Sequence, residues 1–254
     1  MIKKILITLL IAIFPITALA QVDFNLDNIF DTYNFVPSRV ELQGYQMIWS
    51  TDTYTPYEYK GRALPSIGSD VIVEAIVNTS NGSPSDLKYS WFIDDIFQRS
   101  RSGYGKTKLK FTATRPGGSY HSIRLQIFNE DRTIFQEKTI KIPIASPELK
   151  ITSSPENNYF SRQDKSPLVI FADKQNALTA QPYFFSIKSL SDLSFEWMFE
   201  EKKVNSSEYR ANVLNLNITN KDTEEIIERT LNVRVFNKNN PNQEVYKNIN
   251  LLID

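Results

Sequence analysis

The sequence predicts an all-β protein built as two tandem β-sandwich domains, and three observations carry that expectation. The chain repeats itself: Ser85-Asp86-Leu87-Lys88-Tyr89-Ser90-Trp91 returns as Ser191-Asp192-Leu193-Ser194-Phe195-Glu196-Trp197. Ile123-Arg124-Leu125-Gln126-Ile127-Phe128-Asn129 returns as Leu231-Asn232-Val233-Arg234-Val235-Phe236-Asn237. The two Trp residues are 106 positions apart and the two Asn residues 108, so the repeating unit is a whole domain. Second, Phe, Tyr, Ile, Val and Thr recur in short alternating runs, while Gly contributes only 8 residues. Third, each copy shows about seven such runs separated by turn signals every ~8–15 residues, the spacing of a sandwich.

The N-terminus reads as a targeting segment. Lys3 and Lys4 precede an apolar run from Ile5 to Ile16 that is short for a membrane span, and Ala18-Leu19-Ala20 fits a small-x-small cleavage site. Residues 1–20 are therefore expected to be a signal peptide, with Gln21 as the mature N-terminus; the alternative is an uncleaved anchor. Residues 21–36 read as a linker or arm whose Phe24, Phe30 and Phe35 could tether it, or as a short helix over Leu26–Tyr33.

Domain one is placed at 37–145. Arg39 to Leu42 opens it, Val71 to Val77 forms a strand, and Asn81-Gly82-Ser83-Pro84 turns the chain. Leu87, Tyr89, Trp91 and Ile93 then share one face at period two. Asp94-Asp95 is a turn, Leu109 with Phe111 and Ile123 with Ile127 mark two more strands, and Ile134 to Ile142 closes the domain after a turn at Asn129–Arg132. Domain two is placed at 146–254. Leu149 to Ile151, Leu168 to Phe171, Tyr183 to Ile187, Leu193 to Phe199, Val213 to Ile218, Leu231 to Val235 and Val245 to Ile253 are its expected strands. The connection at Ile144–Pro147 is too short for a flexible tether, so the domains should stand end to end with little freedom.

Trp91 and Trp197 have apolar neighbours two residues away on each side, as an indole packed between two sheets requires. Tyr89 and Phe195 join them as expected core. On Tyr89-Ser90-Trp91 and Phe195-Glu196-Trp197 the chain resembles the immunoglobulin-like family that includes bacterial PKD-type repeats. It departs from the PKD pattern after each Trp, where Phe92-Ile93-Asp94-Asp95 and Met198-Phe199-Glu200-Glu201 replace a Gly-rich turn. The stretch from Ile48 to Pro65 is also similar to a segment of uncharacterised exported proteins of candidate-phylum bacteria, which implies no activity.

Function is less legible. The chain has 29 basic and 29 acidic residues and no basic arm, so a nucleic-acid partner is not expected. Cys is absent, which leaves no disulfide, no lipid-anchored Cys and no Cys-His chemistry. His121 is the only His, no Gly-x-Ser-x-Gly elbow is present, and Gly103 to Thr107 lacks phosphate-loop spacing. Carboxylates are plentiful, but a pair of small sandwiches seldom leaves a deep cleft, so no enzyme, cofactor or metal is expected. Asp94-Asp95 and Glu130-Asp131 could hold calcium, yet acidic residues in turns ordinarily serve the backbone. Three Asn-x-Ser/Thr matches, at Asn78, Asn205 and Asn217, read as chance in a bacterial-looking exported chain. Tyr45, Trp49, Tyr54, Tyr57 and Tyr59 form an aromatic cluster without a counterpart in domain two. Trp49, Tyr54, Tyr57 and Tyr59 are the candidate binding residues, suited to stacking on sugars or gripping a peptide; the alternative is that they fold back over one end of a sandwich. The expected role is an exported, non-enzymatic interaction or adhesion module of the bacterial cell surface or envelope, possible as an accessory to a pilus or secretion machine. Its partner would be a protein or a cell-wall glycan, with no membrane span after signal cleavage; the alternative role is a carbohydrate-binding module.

Overall fold

The computed structural model describes residues 40–155, 167–207, 209–219 and 226–253. The expected signal peptide, the arm and the opening residues 37–39 lie outside them. The described residues belong to one compact unit spanning Arg39–Asp254. Among them, no helix is long and apolar enough to cross a membrane.

The first half contains β1 (Glu41–Thr51), β2 (Thr53–Tyr54), β3 (Asp70–Asn81), β4 (Lys88–Ile93), β5 (Ile96–Phe97), β6 (Gly103–Tyr104), β7 (Lys108–Thr112), β8 (Tyr120–Phe128) and β9 (Phe135–Pro143). The second contains β10 (Glu148–Pro155), β11 (Leu168–Ile170), β12 (Gln175–Tyr183), β13 (Phe185–Ser186), β14 (Leu193–Phe199), β15 (Lys202–Val204), β16 (Val213–Asn217), β17 (Ile227–Asn237) and β18 (Asn240–Ile253). In the first half, a sheet ordered β1-β3-β7 faces a sheet ordered β5-β4-β8-β9, with β6 on the flank of β4. In the second, β10-β12-β16 faces β11-β18-β17-β14-β15, and β11 runs parallel to β18. These are two immunoglobulin-like sandwiches in tandem.

Each sandwich has its own core. The first gathers Val71, Val73, Leu87, Tyr89, Trp91, Leu109, Ile123, Leu125 and Ile127; the second gathers Ile151, Ile170, Leu178, Phe185, Leu193, Trp197, Leu214, Leu231, Val233 and Leu251. The two indoles occupy equivalent places. Trp91 pairs with Leu125 across β4 and β8, and Trp197 pairs with Val233 across β14 and β17. Trp91 is 0% exposed and donates its Nε1–H to the Lys106 carbonyl at 2.8 Å; Trp197 is 1% exposed and donates to Ala211 at 3.1 Å. Tyr89 is fully buried, while Phe195 is half-buried against the second core.

The repeat extends to the turns. Before β4, Ser83 caps a 3-10 turn over Pro84–Asp86, and Ser189 caps its twin over Leu190–Asp192, both as reciprocal capping boxes. After the buried Trp, Asp94 (φ 49°) and Asp95 (φ 66°) make a two-residue hairpin; Glu200 (φ 48°) and Glu201 (φ 64°) make the same one. Two consecutive left-handed residues match the twist of the flanking strands.

Two expectations need correction. The first strand continues past Leu42 to Thr51, so Tyr45 and Trp49 belong to β1. Its register against β3 shifts between Glu41 and Gly44, which breaks the alternation that would have revealed it. Tyr45, Met47 and Trp49 then point at the first core. In the second half, Tyr183 to Ile187 is not one strand. Tyr183 ends β12 and Phe184 takes a left-handed φ of 63°, which turns β13 away. The strand itself is Gln175–Tyr183, where the inward Asn176 and Ala180 on either side of Leu178 are too polar or too small to signal it.

Each indole removes roughly 150–250 Å² from water, worth on the order of 4–6 kcal/mol at most. Trp91→Ala or Trp197→Ala should each cost ~3–5 kcal/mol and unfold its own sandwich first, read by calorimetry. A melt little changed by either would remove the indole from its central role. Burial pushes the Tyr89 hydroxyl up from 10.0 to about 12, and it donates to the Pro84 carbonyl at 2.9 Å. Its contribution is complete below pH 10.0, the unfolded value, and is lost as pH rises to about 12. Tyr89→Phe should cost about 1 kcal/mol at neutral pH and flatten the stability loss above pH 10 in denaturant titrations.

Candidate binding surface and the junction between the sandwiches

The chain leaves β1 at Thr51 and does not enter β3 until Asp70, and this segment carries most of the aromatic cluster. It is not a free loop. Tyr54 pairs with Phe185 and Thr53 with Ser186, so β2 and β13 form a two-stranded sheet that joins the sandwiches. The Phe184 N–H donates to the Tyr54 carbonyl at 2.8 Å. The Asp52 carboxylate accepts the Asp70 N–H at 2.9 Å and the Ser186 hydroxyl at 2.7 Å, tying the start of β3 to the other sandwich.

At the centre lies a buried polar network. Ser66 and Gln243 are both 0% exposed. The Ser66 hydroxyl donates to the Phe184 carbonyl at 2.6 Å and accepts from Gln243 Nε2 at 2.7 Å. Nε2 also donates to the Ile67 carbonyl at 3.1 Å. Gln243 Oε1 accepts the Ser186 N–H at 2.9 Å and Asn237 Nδ2 at 2.8 Å. Both ends of the carboxamide are thus used twice, its full capacity. Asn240 adds a bond to the Ile67 carbonyl at 3.1 Å. Gly68 lies beneath that carboxamide with φ 83°, where a Cβ would collide with Asn240 Nδ2. The short connector is fixed as well: the Ala145 N–H donates to Pro65, and a Cβ on Gly117 would lie 2.6 Å from the Ser146 nitrogen.

The candidate aromatic residues are divided among three surroundings. Tyr59 packs edge-on against Tyr183 at 5.6 Å and Phe184 at 5.8 Å, part of the junction. Tyr54 is half-buried in β2, and burial followed by the nearby Glu58 pushes its hydroxyl up. Trp49 lies in β1 with the Arg62 guanidinium stacked 3.5 Å over its ring, and Arg62 also donates to the Trp49 carbonyl. Tyr57 is 97% exposed. The four rings therefore build no shared platform for a sugar. Tyr183, Phe184, Ser66 and Gln243, which complete the junction, carried no sequence signal beyond the adjacent Phe184-Phe185 pair, because their partners lie 118 to 177 residues away.

His121 is 2% exposed and committed to structure. Its Nε2 accepts the Thr114 N–H at 3.2 Å, so Nδ1 carries the proton and donates to Asp94 at 2.7 Å. Asp94 also accepts the Ser122 N–H at 2.9 Å and Arg115 Nε at 3.0 Å. Burial raises the Asp94 carboxyl, but the Ser122 N–H, His121 and Arg115 together outweigh it and hold the group below its usual range. A carboxylate so surrounded by donors ties the β4–β8 corner together.

The network predicts that Gln243→Ala leaves buried donors and acceptors of both sandwiches unpaired, at about 1–3 kcal/mol each. A single calorimetric transition should split into two, with the sandwiches melting separately.

No protein family profile matches the chain, and no curated protein matches it. Among solved structures, three N-terminal domains of the bacteriophage RB49 Highly Immunogenic Outer Capsid protein align at a TM-score of 0.45 and 11% identity. That alignment covers 85% of this chain and 59% of the capsid protein fragment. Extracellular domains 3–5 of Drosophila OTK align at 0.26 and 10% identity, over 83% of this chain and 85% of theirs. The Bacteroides ovatus protein SGBP-B, solved with a mixed-linkage heptasaccharide, aligns at 0.23 and 7% identity, over 83% and 70%. These similarities are too slight to carry an argument, and the immunoglobulin-like assignment rests on the strand order of each sandwich.

Proposed function

We propose that the chain is a non-enzymatic interaction module, exported from a bacterial cell and working at the cell surface or in the envelope by binding a protein partner. The observation that carries the reading is the junction. A buried network that uses every bonding position of Gln243 holds two sandwiches at a set angle and leaves their outer strands to meet other molecules. A rigid pair of sandwiches presents edges and faces at fixed spacing, which suits docking. The engagement of His121 on both ring nitrogens supports a structural use of the one side chain best fitted to proton transfer. Export is supported by the Lys3-Lys4 start, the apolar run and the Ala18-Leu19-Ala20 site. Glycan binding is the weaker reading, because Trp49 is covered by Arg62 and Tyr59 is turned into the junction.

Expression of the tagged full chain in a bacterial host, followed by fractionation and N-terminal mass spectrometry, tests the proposal. The expected product starts at Gln21 outside the cytoplasm and is captured with a protein partner that survives glycan digestion. A chain retained in the cytoplasm, or one released by glycan digestion alone, would contradict it.

A further inference from the structure

The two sandwiches are alike in core and turns, but among the described residues β6 of the first has no twin in the second. In the first, β6 covers the flank of β4: Tyr89 pairs with Gly103 and Lys88 with Tyr104. The neighbouring residues complete the seal. The Gly105 N–H donates to the Leu87 carbonyl at 3.1 Å, and the Trp91 N–H donates to the Ser102 hydroxyl at 3.0 Å. A Cβ on Gly105 would lie 3.4 Å from Ser85, so the segment rests directly on the 3-10 turn.

Among the described residues, the corresponding flank of β14 has no partner beyond β15. Its partner β15 reaches only Trp197, Met198 and Phe199. Beyond β15, Ser207 and Arg210 bridge to each other and not to β14. Tyr209, the residue that matches Gly103 when the chain is aligned on the hairpin, is 90% exposed. Where β6 would lie there is instead a cavity of about 740 Å³ lined by Leu190, Leu193, Phe195, Asn205, Tyr209 and Arg210, among others.

Strand parity shows what that cavity exposes. Phe199 and Lys202 flank the two-residue hairpin and form its closing pair. Every second residue back along β14, namely Trp197, Phe195 and Leu193, therefore turns its N–H and C=O away from β17 and toward the flank. The Leu193 N–H is taken by Leu190. The Leu193 carbonyl and both backbone groups of Phe195 face the cavity as an open ladder, the feature that strand addition exploits.

We propose that this flank of β14 is a docking groove in which an extended segment of a partner protein adds as one further strand. The first sandwich displays the occupant's chemistry. Opposite Phe195 fits a small residue that can approach the backbone, as Gly103 does opposite Tyr89, followed by an aromatic residue opposite Ser194, as Tyr104 lies opposite Lys88. The Arg210 and Lys238 side chains on the rim favour acidic residues beside that pair. The inference rests on the interaction role proposed above and assigns it a site.

The test uses the isotope-labelled full chain and a synthetic peptide that keeps Ser102-Gly103-Tyr104-Gly105 but carries Asp or Glu in place of the basic residues on either side of it. The peptide should shift the amide resonances of Leu193 to Trp197 and slow exchange of the Phe195 amide about tenfold at saturation. The same peptide with proline in place of Gly103 loses the N–H that pairs and should do neither. Asn205→Trp, a change at an exposed position on the rim, should abolish both effects without moving the melting temperature. If millimolar peptide leaves β14 unchanged, or the Phe195 amide is already as protected in the free chain as the central ladder amides, the groove is overturned. A partner captured equally well by Asn205→Trp would also overturn the groove while leaving the interaction role standing. Absence of any protein partner would instead remove that role.

Discussion

A buried indole has to fill space and find an acceptor for its one N–H at the same time, and the architecture of each sandwich follows from that double demand. Trp91 and Trp197 lie on the strand that faces the opposite sheet, and each N–H reaches the carbonyl of the segment crossing from one sheet to the other, at Lys106 and at Ala211. One side chain thereby fixes the separation of the layers and the path of the crossover. The crossing segment is pinned above the core, and the remaining freedom lies in the few residues before the pin. That is where the two copies diverge: Ser102 to Gly105 lie against β4, while Ser207 to Arg210 turn back on themselves.

The junction obeys a different logic. Its contacts are mostly hydrogen bonds between groups with little or no access to water, and such groups are costly when unpaired. A polar network of this kind has few alternative arrangements, because any slip of one sandwich against the other strands several donors at once. The aromatic rings of Tyr59, Tyr183 and Phe184 add packing at the edge of that network. The strained left-handed backbone of Phe184 fits this picture, since it presents the Phe184 carbonyl to Ser66 and its N–H to Tyr54.

Much of the fold was legible because the repeat is local. The segments around Trp91 and Trp197 carry their own capping serines, their own alternation and their own acidic hairpins, so sequence spacing alone aligns them. What escaped notice was non-local or masked by local irregularity. The shift near Leu42 hid most of β1, and the small inward side chains of Asn176 and Ala180 hid β12. The aromatic cluster was visible, but its distribution was not. Nothing near Trp49 says that Arg62 will lie on its ring, and nothing near Tyr59 says that Tyr183 will meet it. Gln243 looks like any polar turn residue until Ser66 is brought to it. The open flank of β14 among the described residues could not have been read either, because it is a pairing present in one copy and missing from the other.

The partners of Gln243 on the first sandwich precede it by more than 170 residues. A chain emerging from its N-terminus can complete the first core well before the keystone of the junction exists. Loop closure over such a distance is slow compared with local pairing. The order of assembly is then built into the sequence: two independent collapses, followed by a late docking step. While it waits, the first sandwich offers a hydrated serine and free carbonyls at its docking end, where a greasy patch would invite aggregation.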